Sequence, residues 1–572
     1  MSRKIRGADI VVRALERAGC TCVFTLSGNH IMPIFDAAFG SGLRLVHVRH
    51  EAAAVHMADA WGRLTGQCGI ALVSGGAAHA NAVAALTTAA AAESPVLLLS
   101  GHAGHHELGR GAFQELRQVE MAAPVSKAAW MARTTQALAG DIAHAITTAR
   151  SGRPGPVHVS LPFDLLTAET EIGPDLIPDA QAFCPRAQRL APTAADQVLA
   201  RVRQAKRPLF IGGPRLCHGT GPALLSALRL ATGVPAIGLE SPRGVNDPSL
   251  GLLAEVLSRA DLIVLLGKAL DFTLGFAEAP FVDPAAGFIG IDPDAALLAR
   301  LAQDKGERLQ LSTVADPGDA AETLTARAQR PASPAAGPSE GASEGASDRA
   351  SEGASEGASE GASDWASEVD AALAYRPATW SSAASASPGA LHPLQLCRAI
   401  APRLAASDAA VLICDGGEIG QWPQAALAPR RRLINGVAGA IGAAIPFAIA
   451  ARVAEPKAPI IAVMGDGSFG FHMAEIDTAV RYGLPFVAVV GNDASWNAEQ
   501  QIQLRDYGRQ RVHGLGLLPT RYDLVATALG GHGELVTEAE ALAGALARAL
   551  ASGKPACVNV MIEGVPAPRY QR

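Results

Sequence analysis

Aromatic side chains make up only 5% of the 572 residues, and the eight cysteines are scattered, with a single residue between the nearest pair, Cys20 and Cys22. That spacing suits neither a disulfide framework nor a metal knuckle, so the cysteines read as reduced thiols of a cytoplasmic protein. Positive charge is also short: 48 basic against 54 acidic residues leave a formal net charge of -6. With no cationic surplus to neutralise a phosphate backbone, nucleic acid is not expected as a partner. No stretch is both long and apolar enough to span a membrane. The apolar run 436–451 is glycine-rich, contains Pro446, and reads as buried core. The N-terminus lacks the continuous apolar segment of a signal peptide; Ile10, Val11, Ala14 and Leu15 instead share one face of an amphipathic helix.

What is present is an alternation of short apolar runs with helix-length stretches. CVFTLSG, LRLVHVRH, GIALVSG, PVLLLSG and GPVHVSLP punctuate the first 165 residues, the pattern of a parallel sheet with crossover helices. A second unit opens at RPLFIGGP and continues through DLIVLLG and FIGIDPD, and a third follows Leu391 with AAVLICDGG, PIIAVMGDGSFG, LPFVAVVGND and PACVNVMIEG. The chain is therefore expected to be α/β, with three doubly wound parallel-sheet domains at 1–175, 190–330 and 386–566, the first and last alike. Between the last two, residues 339–366 repeat a Ser-Glu/Asp-X-Ala tetrad seven times. Such a composition buries too little to offset its ordering entropy, so 331–385 is expected to be a flexible linker.

The run PIIAVMGDGSFGFHMAEIDTAV reads as a buried strand, a glycine turn and a helix, a setting in which backbone N–H groups and a helix N-terminus meet phosphate oxygens. A second strand ends in GNDASWN, placing Asp493 twenty-seven positions after Asp466. Magnesium takes six oxygens, usually one or two carboxylates with phosphate and water. Asp466, Asp493 and the Ser495 carbonyl are the expected protein ligands of Mg2+.

A GDG followed about two dozen residues later by an Asn-containing turn resembles the thiamine-diphosphate motif of the acetolactate synthase, benzaldehyde lyase and 2-hydroxyacyl-CoA lyase group. The N-terminal run SGNHIMPIFDAAFGSGLRLVHVRHEAAAVHMADAWGRLTG is similar to the pyrimidine-binding domain of the same group. Two departures stand out. Asn492-Asp493 occupies a position where many members have two asparagines, and SGGAAHAN at 74–81 lacks the usual glycine-proline-glycine turn while keeping Asn81.

The resemblance implies a pyrimidine-binding, a central and a diphosphate-binding domain, with chemistry at C2 of a thiazolium whose own aminopyrimidine is the internal base. Glu51 matches the glutamate that protonates the pyrimidine ring. Ile441 matches the apolar residue beneath the bent cofactor, and Gly439 offers a carbonyl to its amino group. Gly416, Gly417 and Glu418, with Gly465, Gly467 and Ser468, lie at strand ends expected to meet the diphosphate. His30 and Gln114 match residues that face the substrate carbonyl and hydroxyl, with His472 a secondary candidate. His102, His105 and His106 are expected to be exposed loop histidines. The IGIDPD segment lies where relatives hold a flavin or adenine nucleotide; a DPD turn is also simply a good loop, so FAD is possible without being predicted.

The expected function is a lyase or carboligase making or breaking a C–C bond beside a carbonyl, on 2-hydroxy ketones, aldehydes or 2-hydroxyacyl thioesters. The alternative is an acetolactate-synthase-type decarboxylating carboligase, disfavoured because the long C-terminal lid of true synthases is not seen after NVMIEGVPAPRYQR. A reading of another class is a catalytically silent cofactor-binding or assembly protein. The resemblance further implies a homodimer or homotetramer.

Overall fold

The computed structural model describes residues 4–173, 175–330 and 364–570. Two compact units emerge, one built from 1–186 with 376–572 and the other from 187–375.

The first unit contains two six-stranded, wholly parallel sheets. In the N-terminal sheet the strands run Arg44–His47, Cys22–Thr25, Gly69–Val73, Val96–His102, Val157–Pro162 and Ala128–Met131 across the sheet. In the C-terminal sheet they run Arg431–Ile434, Val411–Cys414, Ile460–Gly465, Val487–Asn492, Ala556–Met561 and His532–Val536. Both orders are the same, 2-1-3-4-6-5 in each half's own chain order, so the halves expected to be alike share one topology. Central strands such as Gly69–Val73 and Val411–Cys414 are buried along their whole length. Helices cover both faces, which is why these strands read as continuous apolar runs.

The two sheets are joined through small-residue helices. Glu51–Thr65 packs on Ala444–Ala454, where alanines let the backbones approach. Met57 and Phe447 belong to one core that also takes in Phe24, Val73, Met464 and Val490. A fully buried side chain of this size contributes about 1.5–3 kcal/mol. A polar bolt crosses the same junction: Arg63 pairs with Asp59 one helical turn earlier and donates to the Ile434 carbonyl at 2.7 Å. A short antiparallel pair, Lys4–Arg6 with Glu169–Glu171, ties the first strand back to the end of the N-terminal domain.

The second unit is a five-stranded parallel sheet ordered Ala236–Gly238, Pro208–Gly212, Leu262–Leu266, Gly287–Ile291 and Leu309–Thr313. The DPD segment forms a cap: Asp292 accepts from Asp294 N, and Asp294 accepts from Ala296 N at 2.8 Å to start the helix Ala295–Lys305. A cavity of about 310 Å3 opens beside it, lined by Lys268, Asp271, Asp292 and Arg300 among others. The unit extends further along the chain than expected. Residues 364–374 are helical, with Trp365 only 3% exposed and its indole donating to Pro208 O. The span read as a flexible linker is therefore ordered from 364 onward, because the tryptophan of its last tetrad supplies the apolar anchor the other tetrads lack. Residues 331–363, most of the repeat, lie outside the described residues.

Candidate active site

The strand Ile460–Gly465 runs straight into the helix Asp466–His472, and the adjacent strand Val487–Asn492 pairs with it so that Gly465 faces Gly491. That register brings Asp466 and Asp493 to one sheet edge. Asp466 is 2% exposed, and its Oδ2 has no hydrogen-bond partner among the described residues. Burial, aided by the Asp493 charge, pushes its carboxyl up to about 7. Burial likewise pushes Asp493 up to about 6, against the hydrogen bonds its Oδ1 accepts from Ser495 N at 3.2 Å and Ser495 Oγ at 3.1 Å. Two neighbouring carboxylates whose proton affinity burial raises, one with an idle oxygen, could hold a cation. Among the described residues no group of three or more His, Cys, Asp or Glu side chains is arranged to hold a metal ion, so a cation here would need oxygens from backbone, ligand or water as well.

The turn around this pair is tightly fixed. Ala494 takes a left-handed φ of +54°, held by Asn492 Oδ1 on its N–H and by Leu517 N on its carbonyl. A Cβ at Gly467 would lie 2.5 Å from the Trp496 ring, so the second glycine of GDG is a packing requirement. Ser468 is buried on the helix behind it.

Beside it, the Val411–Cys414 strand ends in Asp415, a residue the sequence reading passed over. Its buried carboxylate accepts from Gly416 N at 2.7 Å, Gly442 N at 2.9 Å and Ala444 N at 3.0 Å, with its carboxyl pushed up to about 6 by burial. It thereby pins the strand end to the loop that carries Gly439 and Ile441, and Gly416 lies directly against Ile441 and Asn435. His472 supports the same loop, its Nδ1 lying 2.7 Å from the Gly442 carbonyl, and burial pushes it down to about 4, so the neutral ring is the donor. Gly417 opens the next helix, and Glu418 on it accepts from Ala567 N at 2.9 Å, which ties the C-terminal segment down.

In the N-terminal sheet, Glu51 is the first residue of its helix and half-buried. It accepts from the Asn81 amide at 3.0 Å, which brings together two of the expected site residues. The helix start is set from the other half of the unit: Glu475, itself buried, accepts the backbone N–H of Arg49 at 2.9 Å and of His50 at 3.1 Å. His30 is buried, with Nδ1 3.2 Å from Ser74 Oγ and its ring stacked on Phe113. Desolvation lowers its pKa. Gln114 follows Phe113, takes a left-handed φ of +57°, and packs on Gly76. His30 and Gln114 thus meet at the 74–76 turn. Two of the three loop histidines behave as expected, with His106 exposed and His105 half-exposed beside Asp164. His102 does not: it is buried, its ring nitrogens 3.1 Å and 3.0 Å from the carbonyls of Ala103 and Leu116. It is the last residue of the strand Val96–His102, where the loop folds back over it.

Residues 5–121 match the family model for the thiamine pyrophosphate enzyme N-terminal TPP binding domain, and residues 415–560 match that for the C-terminal TPP binding domain. Over 581 aligned residues the chain is 30% identical to the probable acetolactate synthase of Mycobacterium bovis, covering 100% of this chain and 98% of that protein. The chain belongs to the thiamine-diphosphate-dependent enzyme family. It is also 28% identical to the 2-hydroxyacyl-CoA lyase 2 of Danio rerio, over 97% of this chain and 91% of that one, and 28% identical to the protein of that name in Homo sapiens, over 93% and 85%. The protein is a thiamine-diphosphate-dependent enzyme of the lyase and carboligase type, acting on small molecules. No helix among its described residues is long and apolar enough to cross a membrane. His30, Glu51, Asn81 and Gln114 fall within the N-terminal match, and Asp466 and Asp493 within the C-terminal one.

Proposed function

We propose that this enzyme uses thiamine diphosphate and Mg2+ to make or break a C–C bond beside a carbonyl in a 2-hydroxy ketone, an aldehyde or a 2-hydroxyacyl thioester. The observation that carries this reading is the meeting of His30 and Gln114 at the 74–76 turn, where an imidazole packs beside Gly75 and the Gln114 Cβ beside Gly76. The cofactor, when bound, supplies a nucleophilic carbon and an electron sink for the cleaved bond. Asp466, Asp493 and the Ser495 carbonyl hold the metal, and the unpartnered Oδ2 of Asp466 fits that role. Gly416, Gly417, Gly465, Gly467 and Ser468 surround the diphosphate, while Gly439 and Ile441 take the rings. Glu418, engaged with the C-terminal segment, lines this end.

Glu51 holds the proton exchanged with the pyrimidine ring, and Asn81 orients its carboxylate. His30, kept neutral by burial, accepts the substrate hydroxyl proton during cleavage and returns it during ligation. Gln114 donates to the developing oxyanion. Glu51's hydrogen bond is to its own domain, and we assign the opposite wall of the cleft to a second copy, making the enzyme a homodimer or larger. The free cysteines, five of the eight buried, suit a reducing cytoplasm. A decarboxylating acetolactate-synthase-type reaction on 2-oxo acids is the second reading, favoured by the 30% identity to the mycobacterial protein.

Enzyme, cofactor and Mg2+ incubated in parallel with pyruvate, benzoin and a 2-hydroxyacyl-CoA separate these readings. Consumption of benzoin or the thioester is expected; pyruvate turned over to acetolactate establishes the second reading. Glu51→Gln should abolish C2-proton exchange of the bound cofactor. A wild-type protein that binds the cofactor tightly yet exchanges that proton no faster than free cofactor is a silent binding protein.

A further inference from the structure

Behind the 74–76 turn lies a closed polar network that none of the assigned roles uses. At its centre is Gln118, 1% exposed, with every amide atom engaged. Its Oε1 accepts from Gly76 N at 2.9 Å, and its Nε2 donates to Gly101 O at 3.2 Å and to Ser160 Oγ at 3.1 Å. Its backbone carbonyl lies 3.0 Å from His79 Nε2. These partners come from four places: the turn after Gly69–Val73, the strand Val96–His102, the strand Val157–Pro162 and the helix Ala77–Ala91.

The histidines give the network a single sense. Burial pushes His79 down to about 4 and holds His158 well below its ordinary value, so each ring carries one N–H. His158 donates from Nδ1 to Leu98 O and accepts the Ser160 hydroxyl at Nε2, which frees a Ser160 lone pair for the Gln118 amide. His79 donates from Nε2 to the Gln118 carbonyl and accepts the Ser100 hydroxyl at Nδ1. The two rings sit 4.5 Å apart. His102 Nε2 lies 3.0 Å from Leu116 O, which places it against the same loop two residues earlier. Around Gln118, Ser160, His158 and His79 every donor meets an acceptor, and a satisfied buried network of this kind is rigid.

That rigidity is delivered to the proposed site. A Cβ projected from Gly75 would lie 3.3 Å from Gln118 Oε1 and 3.4 Å from His30 Nδ1, so these two groups flank the same glycine. One from Gly76 would lie 2.7 Å from the Gln114 Cβ. The turn is thus held between His30 and Gln114, and its Gly76 N–H is spent on Gln118.

We propose that Gln118 is a positioning residue that locks the 74–76 turn to the loop carrying Phe113 and Gln114, and so fixes His30 and Gln114 in register around one reacting carbonyl. The inference rests on the reading of those two residues as substrate-facing. Gln118→Leu keeps the bulk and removes the amide. In the full-length protein with cofactor and Mg2+, it lowers kcat for whichever of benzoin, the thioester or pyruvate the wild type consumes by roughly 10–100-fold, while C2-proton exchange, which Glu51 drives, stays at the wild-type rate. Gln118→Glu supplies a pH signature: protonated, it can still donate to Gly101 O or Ser160 Oγ, whereas ionised it cannot. Its turnover relative to wild type therefore recovers by about tenfold between about pH 8 and about pH 6.

Unchanged kcat in Gln118→Leu overturns the proposal, as does equal loss of turnover and exchange, which marks a general structural role. Should Gln118→Leu fail to fold, the pH ratio of Gln118→Glu decides, and a flat ratio overturns it. His30→Ala and Gln114→Ala run alongside: full turnover in both, or no compound consumed by the wild type, defeats the reading of the site and this inference with it.

Discussion

Arg63 offers the sharpest measure of how the two halves of the first unit depend on each other. Its guanidinium makes two bonds to Asp59, at 2.7 Å and 2.5 Å, a third to Ile434 O at 2.7 Å, and lies 5.0 Å from the centroid of the Phe447 ring. The side chains are 1% and 0% exposed. Arg63→Met would leave the Asp59 carboxylate buried without its partner, and removal of one member of a buried pair costs about 3–5 kcal/mol. That is a large part of the roughly 5–15 kcal/mol that typically separates folded from unfolded protein. Asp59→Leu combined with Arg63→Met removes both charges and should recover most of the loss. The remaining deficit is the orphaned Ile434 carbonyl, on the order of 1–3 kcal/mol. Urea unfolding of the wild type, both single variants and the double variant closes the cycle. A single variant within about 1 kcal/mol of wild type, or a double variant no more stable than Arg63→Met, would refute the assignment of the pair as a coupled buried bridge. Because Ile434 leads directly into Asn435 and the loop of Gly439 and Ile441, Arg63→Met should also weaken thiamine diphosphate binding, which calorimetric titration reads independently.

Three further outcomes follow from the C-terminal sheet edge. Asp493→Asn removes one of two mutually repelling carboxylates, so the metal-free protein should gain thermal stability while Mg2+ affinity falls by about tenfold, measured by thermal shift across a magnesium titration. Gly467→Ala forces a Cβ to 2.5 Å from the Trp496 ring, and cofactor affinity should fall more than about tenfold with the sheet intact by circular dichroism. Asp415 is raised from 3.8 to about 6. An acid that binds its proton more tightly when folded contributes stability fully present below 3.8 and lost as pH rises through 6. The amount is on the order of 3 kcal/mol, and Asp415→Asn, which cannot ionise, should lack that slope; urea melts of both proteins at low and neutral pH that shift in parallel would contradict it.

Short-range signals carried much of this molecule into view. Apolar runs bounded by turns marked the parallel strands because helices cover both faces of each sheet, and GDG with a spaced Asp493 marked two neighbouring aspartates because adjacent parallel strands in register bring their ends together. What sequence pattern could not show is which polar groups are enclosed. His79, His102 and His158 look like any other histidines in the chain, yet their partners lie one to sixty residues away and are supplied only by the tertiary fold. Asp415, Gln118, Arg63 and Glu475 were silent for the same reason. Trp365 hid inside a repeat whose other members have nothing to bury, so composition outweighed the one residue able to anchor a helix.

The identical strand order of the two sheets gives these separate observations a common cause. In a parallel sheet the carboxyl ends of the strands open toward ligands, because the crossover helices begin there with free N–H groups. In the N-terminal sheet that edge carries the 74–76 turn and His102, with Glu51 just beyond its second strand. In the C-terminal sheet the equivalent edge carries Asp415, Asp466 and Asp493. One strand order carries different groups at its two edges: histidine and amide side chains around the 74–76 turn on the first, paired carboxylates and a pinned loop on the second. The buried polar bonds of Gln118, Asp415 and Arg63 hold each edge in place or join the two sheets.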